Sequence, residues 1–185
     1  DQIVFVSAMG VNHNEQAPLR KIEHMVMESG IPYAILRPTF FMENFSEGFL
    51  AAGIKAQGGI FLAAGDGKTS FIAVRDIAAV AVECFRRPWT GVEFDLTGRE
   101  ALDHAEVARI ISDASGRAVT YHALSEEQML AGARAAGMPE SSVAYMAALY
   151  QAVRAGLAAA DTGVVEKITG RPPMTFREFA RANAG

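Results

Sequence analysis

Gly67-Lys68-Thr69 carries what closes a phosphate-binding loop: a flexible backbone, a cation and a hydroxyl. The pattern G-x-x-x-x-G-K-T needs its first glycine where Leu62 stands, so a turn is the plain reading. A dinucleotide needs a different arrangement, a glycine-rich turn through which the pyrophosphate approaches the amides that open a helix. Neither G-x-G-x-x-G nor G-x-x-G-x-x-G occurs among the 185 residues. His13, His24, His104 and His122 show no metal-ligand spacing and no accompanying carboxylate cluster, so no metal is expected. His13, in a loop near Ser7, is the one placed where acid-base work is conceivable. Ser7 lacks the nucleophile elbow that a hydrolase would use. Cys84, within Ala-Val-Ala-Val-Glu-Cys-Phe on a helix, reads as a small buried residue. Lys21 remains as a cation at the edge of an apolar helix stripe.

Spacing indicates the elements that must position these residues. Ile3-Val4-Phe5-Val6 is a short apolar run bounded by Ser7-Ala8-Met9-Gly10, a buried strand and then a loop. After the polar stretch 11–17, Pro18 opens a helix at its first position. Leu19, Ile22, Met25 and Val26 fall on one side of that helix, with Lys21 at the edge beside Met25. Gly30 supplies a left-handed C-cap and Pro32 prevents continuation. Residues 33–36 include no polar side chain, which suits a strand covered on both faces. The strand ends at Arg37-Pro38 because proline lacks the amide a ladder needs. Strand, helix and strand form a right-handed βαβ unit. The loops starting at Ser7 and at Pro38 therefore share the carboxyl end of neighbouring parallel strands, where open α/β sheets bind ligands.

Residues 45–57 read as a helix stopped by Gly58-Gly59. Residues 60–62 and 70–74 read as strands of a hairpin around Gly65-Asp66-Gly67-Lys68. Asp76 starts a helix over 77–85 that is apolar on nearly every side and so expected to be covered. Residues 92–96 alternate as a strand does, and 119–123 form another. Asp103-His104-Ala105-Glu106 and Ser125-Glu126-Glu127-Gln128 are capping boxes for helices to about Ser115 and Ala136. An alanine-rich helix over 139–159 carries Tyr145, Met146, Leu149, Tyr150 and Val153 on one stripe. Short helices over 162–169 and 175–183 close the chain.

The helix, Ser29-Gly30 and then Ile31-Pro32-Tyr33-Ala34-Ile35-Leu36-Arg37-Pro38-Thr39-Phe40-Phe41-Met42-Glu43-Asn44-Phe45 resemble the NmrA-like group of atypical short-chain dehydrogenase/reductases, which includes NAD(P)H-dependent quinone reductases. The resemblance runs from Val4 to about Phe179. It implies an α/β fold, the C-terminal part of a Rossmann-like doubly wound parallel sheet with a small helical and hairpin substrate lobe. The core would cover about 1–45 and 69–98, and the lobe about 46–68 and 99–185, of a single domain. The chain begins roughly where the family's fifth strand would be, and the glycine-rich nucleotide-binding segment would precede it.

By the same resemblance the protein would be an NAD(P)H-dependent oxidoreductase that reduces a small apolar acceptor such as a quinone, with NADP or NAD as cofactor. The alternative it implies is a non-catalytic NAD(P)-sensing or partner-binding protein. Val6, Ser7, Ala8 and Met9 would lie beneath the nicotinamide, and Pro38, Thr39, Phe40 and Phe41 would close over it. Asn44, Phe45, Tyr145 and Tyr150 would line the acceptor pocket. Short-chain dehydrogenases use Y-x-x-x-K, the phenol moving a proton while the ammonium lowers its pKa and holds the ribose. Lys21 matches the lysine as catalytic and cofactor-holding cation, but Ala17 stands in the tyrosine's place. Hydride delivery to a quinone-like acceptor is easier to reconcile with that departure than alcohol-to-ketone chemistry.

Half of the residues are apolar, enough for a substantial core. The formal net charge of −4, with scattered basic residues, argues against a nucleic-acid partner. The single cysteine excludes an internal disulfide and fits a reducing compartment. No apolar run approaches the roughly 20 residues of a membrane span, and no signal-peptide pattern opens the chain, so a cytoplasmic protein with no membrane partner is expected. A trimmed, proteolysed or naturally shortened form would begin as this one does, without Met and almost at once in a strand. A doubly wound sheet without its first half exposes an edge and an apolar face, so a homo-oligomer through that edge is expected.

Overall fold

The computed structural model describes residues 1–87 and 89–184. In chain order the elements are β1 (Ile3–Val6), α1 (Pro18–Glu28), β2 (Tyr33–Pro38), α2 (Ala51–Gln57), β3 (Gly59–Leu62), α3 (Val74–Arg86), β4 (Val92–Leu96) and α4 (His104–Ser115). They continue with β5 (Thr120–Ala123), α5 (Glu126–Ala135), α6 (Glu140–Arg154), α7 (Val164–Thr169) and α8 (Phe176–Ala182). The fold is α/β with parallel sheets, and the chain divides into two compact units. One comprises Asp1–Phe41, Phe71–Arg99 and Asp161–Thr175, the other Met42–Ser70, Glu100–Ala160 and Phe176–Gly185.

In the first unit three parallel strands run in the order β1-β2-β4. β2 is central, and its alternation separates the two faces. Ala34 and Leu36 join Ile77, Val80 and Cys84 of α3 and Val165 and Ile168 of α7 in a buried core. Arg37, one residue out of phase, turns to the other face and meets Glu23 of α1. β2 reaches Pro38 because a proline carbonyl can still accept, here from the Met9 amide at 3.0 Å. β1 departs from the buried strand expected. Its one strand partner among the described residues is β2, and Val6 is 45% exposed. α3 is likewise covered on one side only. Ile77, Val80 and Cys84 face in at helical spacing, while Val82 and Phe85 are exposed. Cys84 is buried as expected, and burial raises its thiol pKa. Segment 161–175, read from the sequence as part of the lobe, packs here through α7 against α3 and β4.

The second unit is built on β3 and β5, which pair in parallel from Gly59 with Thr120 to Leu62 with Ala123. The hairpin expected after Gly65 does not form. The backbone donors of 70–74 are used elsewhere, Ser70 giving its amide to Ala158 (2.9 Å) and Ile72 to Phe40 (3.0 Å). The continuous helix expected over 45–57 is interrupted as well. A 3-10 turn, Met42–Phe45, ends where the Glu43 carbonyl accepts from Ser46, Glu47 and Gly48, and α2 starts only at Ala51. A Cβ on Gly48 would lie 2.6 Å from the Asn44 Cα, so a close turn replaces the expected helix there. Both capping boxes form as read, Asp103 with Glu106 and Ser125 with Gln128.

Gly67 shows what the glycine-rich turn is for. A Cβ there would stand 2.4 Å from the Val153 carbonyl oxygen and 2.7 Å from its carbon, so α6 packs against bare backbone. Gly67→Ala is expected to destabilise by about 1–3 kcal/mol through overpacking, whereas Gly132→Ala, with open space at that position, should not. Urea denaturation of the two variants checks this, and equal stabilities would discount the close approach.

Candidate functional site

The loops that begin at Ser7 and at Pro38 leave the same end of two hydrogen-bonded parallel strands. The Ser7 amide donates to the Leu36 carbonyl (2.7 Å), the Met9 amide to Pro38 (3.0 Å), and the Thr39 amide to Leu96 of β4 (3.0 Å). Ser7, Pro38 and Thr39 are buried; Ala8, Met9, Phe40 and Phe41 are partly open. Phe40 meets Phe71 edge-on at 6.5 Å, and Phe41 rests on the core.

Beneath these loops lies a group the sequence reading passed over. Glu23 is fully buried, and Arg37 grips it with both arms of its guanidinium, Nε to Oε1 and Nη2 to Oε2 at 2.8 Å each. Arg20 adds a contact at 2.9 Å, and Arg37 reaches Glu93 of β4 at 2.6 Å. Burial pushes the Glu23 carboxyl up, but the hydrogen bonds from Arg37 and Arg20 outweigh it and hold the group at about 2. The pairing with Glu23 raises the Arg37 guanidinium still further. Arg37 at the strand end is visible in the sequence, whereas nothing in the spacing of α1 marks Glu23 as its partner.

That pair also corrects the face assigned to α1. The expected stripe put Ile22 and Met25 inward, yet they are 41% and 71% exposed while Glu23 is buried. The ion pair sets the rotation of the helix. Lys21, two residues before Glu23 and so about 200° around the helix from it, is exposed.

The four residues read as lining an acceptor pocket all belong to the second unit. Phe45 and Tyr150 are buried and stand 6.2 and 6.4 Å from the ring of His104. Tyr145 is half exposed on α6, and Asn44 sits in the turn below Gly48. His104, which carried no expected role beyond its capping box, is 2% exposed, with Tyr121 5.5 Å away. Burial lowers its pKa to about 4, and burial raises the Tyr150 phenol. Phe45 also lines a cleft of about 410 Å³ with residues of α2, α4 and α8. Among the described residues no group of His, Cys, Asp and Glu could hold a metal ion, and no helix is long and apolar enough to cross a membrane.

Parallel strands carrying two adjacent loops at their carboxyl ends define a Rossmann-like α/β protein. Its backbone superimposes on the NADPH complex of an Escherichia coli NADPH-dependent quinone oxidoreductase with TM-score 0.79 and 27% identity, over 98% of this chain and 65% of that one. The chain belongs to the NmrA-like family, whose model matches residues 13–179. It is 37% identical over 187 residues to the NAD(P)H azoreductase of Xenophilus azovorans, covering 97% of this chain and 65% of that protein. NmrA, a negative transcriptional regulator solved with NAD, shares the fold (TM-score 0.67, 16% identity, 97% and 63% covered). The chain thus spans a little under two thirds of the length of these relatives.

Proposed function

We propose that this chain supplies the nicotinamide and acceptor side of an NAD(P)H-dependent oxidoreductase that reduces a small apolar acceptor such as a quinone. The supporting observation is the pair of loops starting at Ser7 and Pro38, tied at the ends of adjacent strands by the Met9 amide. The residues fit the flat end of such a cofactor. Val6, Ala8, Met9 and Phe40 offer a partly open apolar surface, and a Cβ added at Gly10 would meet nothing within 4 Å. They do not fit its pyrophosphate, for which the chain has no glycine-rich turn. The azoreductase and the quinone oxidoreductase support the reading through the cofactors in their names.

When bound, a reduced nicotinamide supplies the hydride. This chain's share is to hold the ring between 6–9 and 38–41, the loops tied by the Met9 amide and the strand that carries Pro38 tied to α1 through Glu23 and Arg37. With Ala17 in the tyrosine's place, the reduced acceptor takes its proton from water or from another side chain. Lys21 is exposed on α1, and no step is assigned to it in this scheme.

NADPH oxidation with a naphthoquinone, measured for this chain and for the longest protein that contains it, is the test. Turnover by the longer form is the expected result. Tight NADP binding without turnover against any acceptor would instead favour a nucleotide sensor, the reading that Ala17 motivates. Neither binding nor turnover would remove both.

A further inference from the structure

We propose that the cleft of the second unit is a ligand site in its own right, taking an amphipathic monoanion: an alkyl or aryl body with a carboxylate or sulfonate head. At about 410 Å³ the cleft falls within the size range of small-molecule sites. Its floor is apolar. Phe45, Val119, Phe179 and Ala180 are buried there, and Ile54 and Ile111 form the walls. Apolar area covered by a ligand body is a driving force that needs no particular partner group.

The rim chooses the charge. Lys55, near the end of α2, and Arg117, just past α4, both line the cleft. Arg117 Nη2 donates to the Lys55 carbonyl at 3.2 Å, which fixes the guanidinium beside the segment carrying the ammonium. One acidic side chain, Glu47, stands among the lining residues against these two cations. Among the described residues neither Lys55 nor Arg117 takes part in an ion pair. A second cleft, beside Gly67, makes the contrast. Its cations are already engaged, Lys68 with Glu106 at 3.2 Å and Arg154 with Glu126, so nothing there calls for an added anion. In the first cleft a single negative charge gains two cationic neighbours while its apolar body leaves water, and a guanidinium suits a planar carboxylate.

The inference stands on the second unit alone and does not depend on the oxidoreductase reading. Octanoate and octanol are the probes, followed by broadening of their NMR lines on addition of the chain. Octanoate should bind with a dissociation constant of about 1 mM or tighter, and octanol at least about tenfold more weakly. Lys55→Glu with Arg117→Glu, both exposed positions, should weaken octanoate by at least about tenfold and leave thermal melting unchanged. Ile54→Trp should block both probes by filling the cleft; if that variant does not fold, the charge-reversed pair decides. No octanoate binding, equal binding of the two probes, or binding indifferent to the double reversal would each overturn the proposal.

Discussion

Arg37→Ala lowers the melting temperature of the chain by on the order of 10 °C. The substitution removes both 2.8 Å contacts to Glu23 and leaves a carboxylate that is 0% exposed with Arg20 as its remaining cation. Breaking one side of a buried pair costs about 3–5 kcal/mol, because the stranded charge keeps its desolvation penalty. In a chain of this size each kcal/mol moves the melting point by about 2–4 °C. Arg37→Lys should rescue little, since an ammonium cannot span both carboxylate oxygens. Replacing both partners, Glu23→Leu with Arg37→Met, should recover much of the loss. The pair also makes the wild type acid-sensitive. The Glu23 carboxyl is depressed from 4.5 to about 2, so the unfolded chain binds more protons in that interval. The stability is present above pH 4.5 and lost as pH falls towards 2. A melting point that Arg37→Ala leaves in place would mean that the pair does not hold α1 to the sheet.

The second large effect belongs to His104. Its pKa falls from 6.5 to about 4 because the ring is buried among Phe45, Tyr121 and Tyr150. Between those values the unfolded chain takes a proton that the folded chain refuses, so stability is complete above pH 6.5 and declines as pH falls to 4. The loss attributable to this one residue is on the order of 2–3 kcal/mol. His104→Phe keeps a ring among the aromatic neighbours and removes the titration. Urea denaturation at pH 7 and at pH 4.5 should then show a smaller drop for the variant than for the wild type. Parallel pH dependence of the two proteins would show that the imidazole does not carry this linkage.

Features with local causes were legible from the residues in order. Proline at the start of α1, Gly30 past its end, the capping boxes of α4 and α5 and the unbroken apolar run of β2 each act within a few positions. From the parallel order of β1 and β2 it followed that the Ser7 and Pro38 loops are neighbours, as they are. What misled was the rule that an apolar stripe faces inward. It placed Ile22 and Met25 of α1 inward, whereas Glu23, gripped by an arginine from β2, is buried between the partly buried Leu19 and Val26.

The chain alone determined the α/β class, the strands that bound the candidate site and the family resemblance, since these rest on runs and spacings a few residues long. Only the tertiary structure decided that Ile60-Phe61-Leu62 pairs with Thr120 to Ala123 and not with its neighbours after Gly65. It also decided that Glu23 and Arg37, fourteen positions apart, are one buried unit, and that Lys55 and Arg117 meet at a cleft. Such pairings depend on which distant segment satisfies a backbone donor or a buried charge, and that choice is made by packing, not by adjacency.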